Sequence, residues 1–323
     1  MTETLVVPVG AESTSPPQRE RSLRVPRPPR RPPSSATPRP PLGPTAVIVR
    51  GTLIMAAVVL LAFVLNATLL SHLHHAVTQQ QLSDSFRLQL SEGTAPVSEG
   101  DFNDVLLADG APVAIMDIPS IGVHEVVAEG TSSGVLTTGP GHRRDSVLPG
   151  QAGVSVLMGR AASYGGPFSR LQELAPGDRF TVITGQGTQD FEVVGVRYAG
   201  DPSPASPVSG ESRLILETAR GAAYVPSGIA YVDAELMSET QPSGARQSTF
   251  ASLPPQDAAL ATDTSTIWAL VFAIQFLLVT EIAAVWAIRR VGAQKTWIVF
   301  VPLGLVAGSF VGHQLTLLLP NLL

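Results

Sequence analysis

Two strand ends hold the residues that bear on chemistry. In GVSVLMGRAASYGGPF, residues 153–168, an apolar run stops at Gly159 and is followed at once by Arg160. In RLILETARG, residues 213–221, a second run closes on Thr218, Ala219 and Arg220. A guanidinium at a strand mouth can hold an acidic group or a peptide oxygen, but it holds its proton far above neutral pH and so moves none there. Alanine offers no nucleophile, and Thr218 faces opposite to residue 219 in a strand, with no base evident for it. A cation in such a place is either solvated or paired, so Arg160 is expected to meet Glu217 or Asp233, or else to serve a ligand in a groove.

The remaining polar groups narrow the chemistry further. The chain has no cysteine, hence neither a thiol nucleophile nor a disulfide. His142, in GPGHRRD, could supply an imidazole, though a structural role at that turn is the expectation. His72, His74 and His75 are ligand-type residues with no fourth ligand nearby, so they are read as interfacial side chains. No metal and no cofactor is expected. The net charge of −5 makes no case for nucleic acid, since the basic residues cluster around membrane-type segments.

These segments set the architecture. Residues 46–70, 267–288 and 297–319 are each long and apolar enough for a helix to cross a hydrocarbon core ~30 Å thick. Residues 1–45 are rich in proline and arginine, a composition that cannot bury enough apolar surface to fold, and are expected to be a disordered cytoplasmic tail. Arg289, Arg290 and Lys295 lie between the second and third spans, and together with the tail they predict an N-terminus and a short loop inside the cell. The β-domain and the closing PNLL are then extracytoplasmic, on a protein of the plasma membrane.

Within the spans, Glu281 is a carboxylate in apolar surroundings and needs a partner or a proton. Gly304, Gly308 and Gly312, four apart, share one helical face that lets another backbone approach closely, in this chain or in a partner membrane protein.

Residues 71–110 read as a juxtamembrane helix and linker, 111–237 as an all-β domain, and 238–266 as a second linker. Strand-length runs include VSVLMG, RFTVITG, DFEVVGVRYAG, RLILETA and IAYVDAEL, with a short helix expected at GPFSRLQELAPGD.

The order of these motifs resembles the sortase family, the membrane-anchored cysteine transpeptidases of Gram-positive bacteria, and in particular its actinobacterial class E members. IPSIGV resembles the opening strand, EGTSSGVLTTGPGH the next turn, LPGQAGVSVLMGR the segment around the catalytic histidine, and RLILETARG the strand that ends in the nucleophile. The resemblance implies a sortase-like β-barrel with one membrane helix before it and two after. It implies histidine where Arg160 stands, cysteine where Ala219 stands, and arginine at Gly228 or Ile229 in the last strand. With all three replaced, the expectation is a catalytically inactive relative, a binding or accessory subunit of a cell-envelope membrane complex. Its groove contacts would be Arg160, Thr218, Arg220 and His142, and its partner a membrane protein. The alternatives are a transpeptidase or peptidase with a non-standard site, and an accessory subunit of a membrane transporter.

Overall fold

The structure is a computed structural model that describes residues 44–100, 105–244, 248 and 253–323. The proline-arginine segment, up to residue 43, lies outside the described residues.

In chain order the elements are α1 (Pro44–Leu65), a π-helical turn (Asn66–Leu70), α2 (Ser71–Glu92), β1 (Pro112–Ile118), β2 (Val123–Glu129), β3 (Gly141–His142) and β4 (Gly153–Met158). Then come β5 (Arg179–Thr184), β6 (Gly187–Tyr198), β7 (Ser212–Ala222), β8 (Val225–Leu236), α3 (Ile267–Val291) and α4 (Ala293–Leu317). The strands close into a barrel in the order β1-β2-β3-β4-β7-β8-β6-β5. Pairing is antiparallel except between β2 and β3 and between β4 and β7.

Alternation along the strands builds the core. In β5, Phe180, Val182 and Thr184 point inward while Arg179 faces water, and the Phe180 ring stacks on Phe191 of β6 at 5.5 Å. Met116, Phe168, Leu171, Leu214 and Val232 complete that interior. Residues 112–129 form two strands, β1 and β2. Pro119–Ile121 forms a 3₁₀ turn, and Gly122, at φ 70°, takes the left-handed conformation that brings the chain back. The helix expected at 166–178 reduces to one 3₁₀ turn, Leu171–Glu173, because Leu174 is already extended (ψ 136°). Leu171 and Leu174 are nonetheless both buried.

Three helical stretches, Ala56–Glu92, Ile267–Val291 and Gln294–Leu317, are long and apolar enough to cross a membrane. They stand one before the barrel and two after it, as the sequence implied. The first does not stop at residue 70: it continues as helix through the π turn to Glu92. Gly292, at φ 94°, turns the chain between α3 and α4, and Leu277, Ala307 and Val311 cluster with Val59 where the helices meet.

Beyond the bilayer-length part, α2 lies on the barrel wall. Phe86 is fully buried against Ile115 and Val126. β2 meets β3 over only two residue pairs, which leaves Val126 with an open main-chain edge. The Gln79 amide closes that edge: Nε2 donates to Val126 O at 3.0 Å and to Thr138 O at 2.7 Å, and Oε1 accepts from Val126 N at 2.7 Å.

A candidate ligand groove at the ends of β4 and β7

β4 and β7 run parallel, with Met158 beside Glu217, and Gly159 N donates to Glu217 O at 3.0 Å as the strands part. Gly159 has no room for a side chain: a Cβ there would lie 2.5 Å from the Phe168 ring. That close approach lets Phe168 enter the core and sends the next residue, Arg160, into the protein.

Arg160 is completely buried, and its guanidinium is fully engaged. Nε donates to Leu136 O at 3.1 Å, and Nη2 donates to Ser133 O at 2.9 Å and to Ser133 Oγ at 2.8 Å. Nη1 donates to Ser163 Oγ at 3.1 Å and to Leu323 O at 2.8 Å. The Tyr164 ring, held at φ 50°, lies 5.2 Å from the guanidinium carbon. Burial pulls the Arg160 pKa down to about 10, so the group is a cation at neutral pH.

Neither acid expected beside Arg160 is its partner. Glu217 faces Arg143 at 3.4 Å, and Asp233 holds Arg197 at 2.6 Å. The reason lies in the barrel's other basic residues. Arg197 is directly within reach on β6, and Arg143 already bridges Asp145, so both carboxylates are drawn to a separate polar cluster. Burial raises the Glu217 pKa, with Arg143 opposing the shift. No ion pair among the described residues includes Arg160.

What meets Arg160 instead is residues 319–323. Leu322 and Leu323 are buried against Leu136, Val156, Met158 and Ala219. Leu322 O accepts from Ala161 N at 2.8 Å, and Ser163 Oγ also donates to Leu323 O. Asn321 anchors the segment: Nδ2 donates to Thr131 O at 2.9 Å and Ala258 O at 3.0 Å, and its main-chain N to Ala261 O at 2.9 Å. Beside Leu323 remains a cavity of about 220 Å³, bordered by Ala219, Arg220, Tyr224 and Gln172.

The other residues singled out from the sequence divide between this place and elsewhere. Ala219 lies under the two leucines, paired across the sheet with Ile229, which packs at the edge of the same cluster. Thr218 points the other way, and its hydroxyl donates to Gly159 O at 2.9 Å. Arg220 is exposed, stacked 4.1 Å over Tyr198, and pairs in register with Gly228. His142 is buried away from the groove, between Glu129 Oε2 at 2.8 Å and Val147 O at 2.9 Å.

His72 faces solvent, His75 meets Glu125 at 3.0 Å, and His74 lies edge-on to Tyr164 and His313, so the three diverge. Among the described residues no three metal-ligating side chains gather. On the glycine face, a Cβ on Gly308 would lie 3.1 Å from Ala62 Cβ, and one on Gly312 3.1 Å from Ala62 O, both on α1; Gly304 faces open space. Glu281 is half-buried on α3, with no side-chain partner among the described residues. Ser133, Ser163 and residues 319–323 were not anticipated. The signal available for the last was a short apolar stretch with an asparagine after the end of a span, and for Ser163 its place three residues beyond Arg160.

The molecule is thus of the class that joins a closed eight-stranded barrel to membrane-length helices. Within that class, residues 116–225 of the barrel match the family model described as Sortase domain. The chain is 30% identical to Sortase D of Bacillus subtilis (strain 168) over 118 residues, which are 36% of this chain and 58% of that relative, so it spans little more than half of the relative's length. Among solved structures, it is similar to a Clostridium perfringens Sortase D5 transpeptidase (20% identity, TM-score 0.41, covering 50% of this chain and 99% of the other). It is also similar to sortase C-1 from Actinomyces oris (25% identity, TM-score 0.36, with 50% and 99% covered).

Proposed function

We propose that this sortase-fold protein performs no transpeptidation and acts as a binding and accessory subunit of a cell-envelope membrane complex, with its barrel outside the plasma membrane. The observation that carries the reading is the pair at the ends of β4 and β7. Acyl transfer needs a nucleophile, a proton carrier and an oxyanion donor. Ala219 is a methyl group beneath Leu322 and Leu323. Arg160 keeps its proton at neutral pH and spends its donors on the protein itself. Thr218 is turned to the other face and bonded to Gly159 O. At the start of β8, Gly228 and Ile229 bring no side-chain donor.

The test uses full-length protein in detergent, incubated with LPxTG-like peptides and an amine acceptor and followed by mass spectrometry. Neither cleavage nor transfer is expected. Turnover that disappears in Thr218→Ala would overturn the reading in favour of an enzyme with a non-standard nucleophile. The accessory role is tested separately by the native mass of the gently extracted protein, which should exceed that of the chain alone through a second membrane protein.

A further inference from the structure

The β7–β8 hairpin ends in a tip with the sequence GAAYVP, residues 221–226, and from Gly221 to Val232 there is no Asp, Glu, Lys, Arg or His. Ala222, Ala223 and Val225 are exposed, Val225 by 67%. Tyr224 makes the turn at φ 63°, the left-handed region that glycine or asparagine occupies at little cost and a bulky ring does not. A contact outside the hairpin holds it there: the Tyr224 hydroxyl donates to Ala67 O at 3.1 Å, in the π turn of the first membrane-length helix.

That bond sets the height of the tip. Asn66, next to Ala67, meets Thr316 of α4, which stands ~28 Å along the helix from Trp297 at a rise of ~1.5 Å per residue. Trp268 and Trp286, near the two ends of α3, are ~27 Å apart by the same rise. All three indole rings are exposed, as suits rings at the border between hydrocarbon and headgroups, and both separations match a hydrocarbon core ~30 Å thick. The tip thus meets α1 level with such a border. At its base Arg220 is exposed, stacked on Tyr198, and in no ion pair among the described residues.

We propose that the tip of the β7–β8 hairpin is a lipid-binding surface, with Ala222, Ala223 and Val225 in the upper acyl region of the leaflet on the barrel's side and Arg220 at its phosphates. Tyrosine and arginine fit that border because each has an apolar body and a polar end. Lipid is favoured over a protein partner by what adjoins the tip. Tyr224 joins it to a turn whose Leu69 and Leu70 are exposed apolar residues of a helix long enough to span the bilayer. The barrel is then seated on the membrane instead of standing off it on a stalk, whether or not its groove turns over a peptide.

The test uses the full chain in nanodiscs of phosphatidylcholine and phosphatidylglycerol. Because the chain has no cysteine, Val225→Cys gives a single site for a nitrobenzoxadiazole label, and Val208→Cys gives the comparison. Val208 is as exposed, at 65%, but it is bonded to Glu211 just before β7, whose first residue lies ~33 Å from Ala222 at ~3.3 Å per residue. The label at 225 should emit to the blue of the label at 208, lose intensity to lipids that carry a nitroxide near the top of the acyl chain, and resist aqueous iodide. The label at 208 should be quenched by iodide and not by the lipid nitroxide. Ala223→Cys should behave as Val225→Cys and serves if that variant folds poorly. A tip label open to iodide and untouched by the nitroxide would overturn the proposal by placing the tip in water. A tip label shielded from both quenchers would overturn it in favour of a protein covering the hairpin. Arg220→Asp, which sets a negative charge against the phosphates, should reduce the nitroxide quenching at 225, and unchanged quenching would overturn the part given to Arg220.

Discussion

Gly308 of α4 and Ala62 of α1 face each other so closely that a Cβ on the glycine would stand 3.1 Å from the alanine's own. Four residues on, Gly312 faces the Ala62 carbonyl at the same distance, so two of the three glycines are contact points between helices of this chain. Association in lipid depends on such close packing, because burying apolar surface gains nothing between two helices already surrounded by hydrocarbon.

Gly308→Leu should therefore push α4 away from α1 and loosen residues 319–323 from the barrel. Gly304→Leu, which meets nothing within 4 Å, should do neither. Hydrogen exchange at residues 318–323 and at 159–164 in detergent reads the difference. Faster exchange in both variants, or in neither, would contradict the assignment of the contact.

Arg160→Met should destabilise the barrel by about 2–4 kcal/mol, since several buried acceptors, among them Ser133 O and Leu136 O, would lose a charged donor. Arg160→Lys should not restore it, because one ammonium cannot span acceptors on both sides of a planar fork. Denaturant midpoints for the two variants decide this; a lysine variant as stable as wild type would show that the geometry of the fork is unimportant.

Asp257 is buried in the 3₁₀ turn Pro255–Asp257, and burial, with Asp109 adding to it, raises its pKa from 3.8 to about 6. A carboxyl whose folded pKa lies above its unfolded one stabilises the fold most fully below the unfolded value, and that contribution is lost as pH rises through the folded value. Melting temperature should thus fall from pH 4 to pH 7 by more in wild type than in Asp257→Asn. Parallel profiles would remove Asp257 as the source.

The absence of cysteine makes membrane topology directly measurable. Ser203→Cys, on an exposed barrel loop, should react with an impermeant maleimide in intact cells, whereas Lys295→Cys, in the first turn of α4, should react only after permeabilisation. The reverse pattern would invert the orientation drawn from the arginine distribution.

The barrel was legible because its strands carry period-two burial between glycine and proline turns: β5 ends one residue short of the run RFTVITG, and β7 begins one residue before RLILETA and runs three beyond it. The three helices long and apolar enough to cross a membrane were legible by length and composition together. Arg160 was singled out as a cation at a strand end, solvated or paired, but its burial and its surroundings were not foreseen. An acidic neighbour in sequence-adjacent strands was the natural expectation, while the actual acceptors come from the turn at 133–136 and from a segment more than 160 residues away. Nothing in five residues of leucine, proline and asparagine encodes a docking site. That information is held by the packing of α4 against α1 and of the segment against the barrel.

The π turn between α1 and α2 also acts as a phase adjuster. An α-helix advances ~100° per residue, so the one residue by which a π turn exceeds an α turn rotates everything after it by about that angle. Upstream, Ala62 points at α4, and so does Asn66 at the start of the turn, where Thr316 Oγ1 donates to Asn66 Oδ1 at 3.1 Å. Downstream, Gln79 and Phe86 point at the barrel wall. In a straight α-helix these two docking faces would be out of step, and one of them would look into lipid or water. The turn also uses its loosened main chain, since Ala67 O accepts from Tyr224 of the barrel at 3.1 Å. A single-residue deletion within 66–70 would therefore act as a rotation: it would keep a continuous helix and every side chain in α2, yet turn Gln79 away from the open edge of β2.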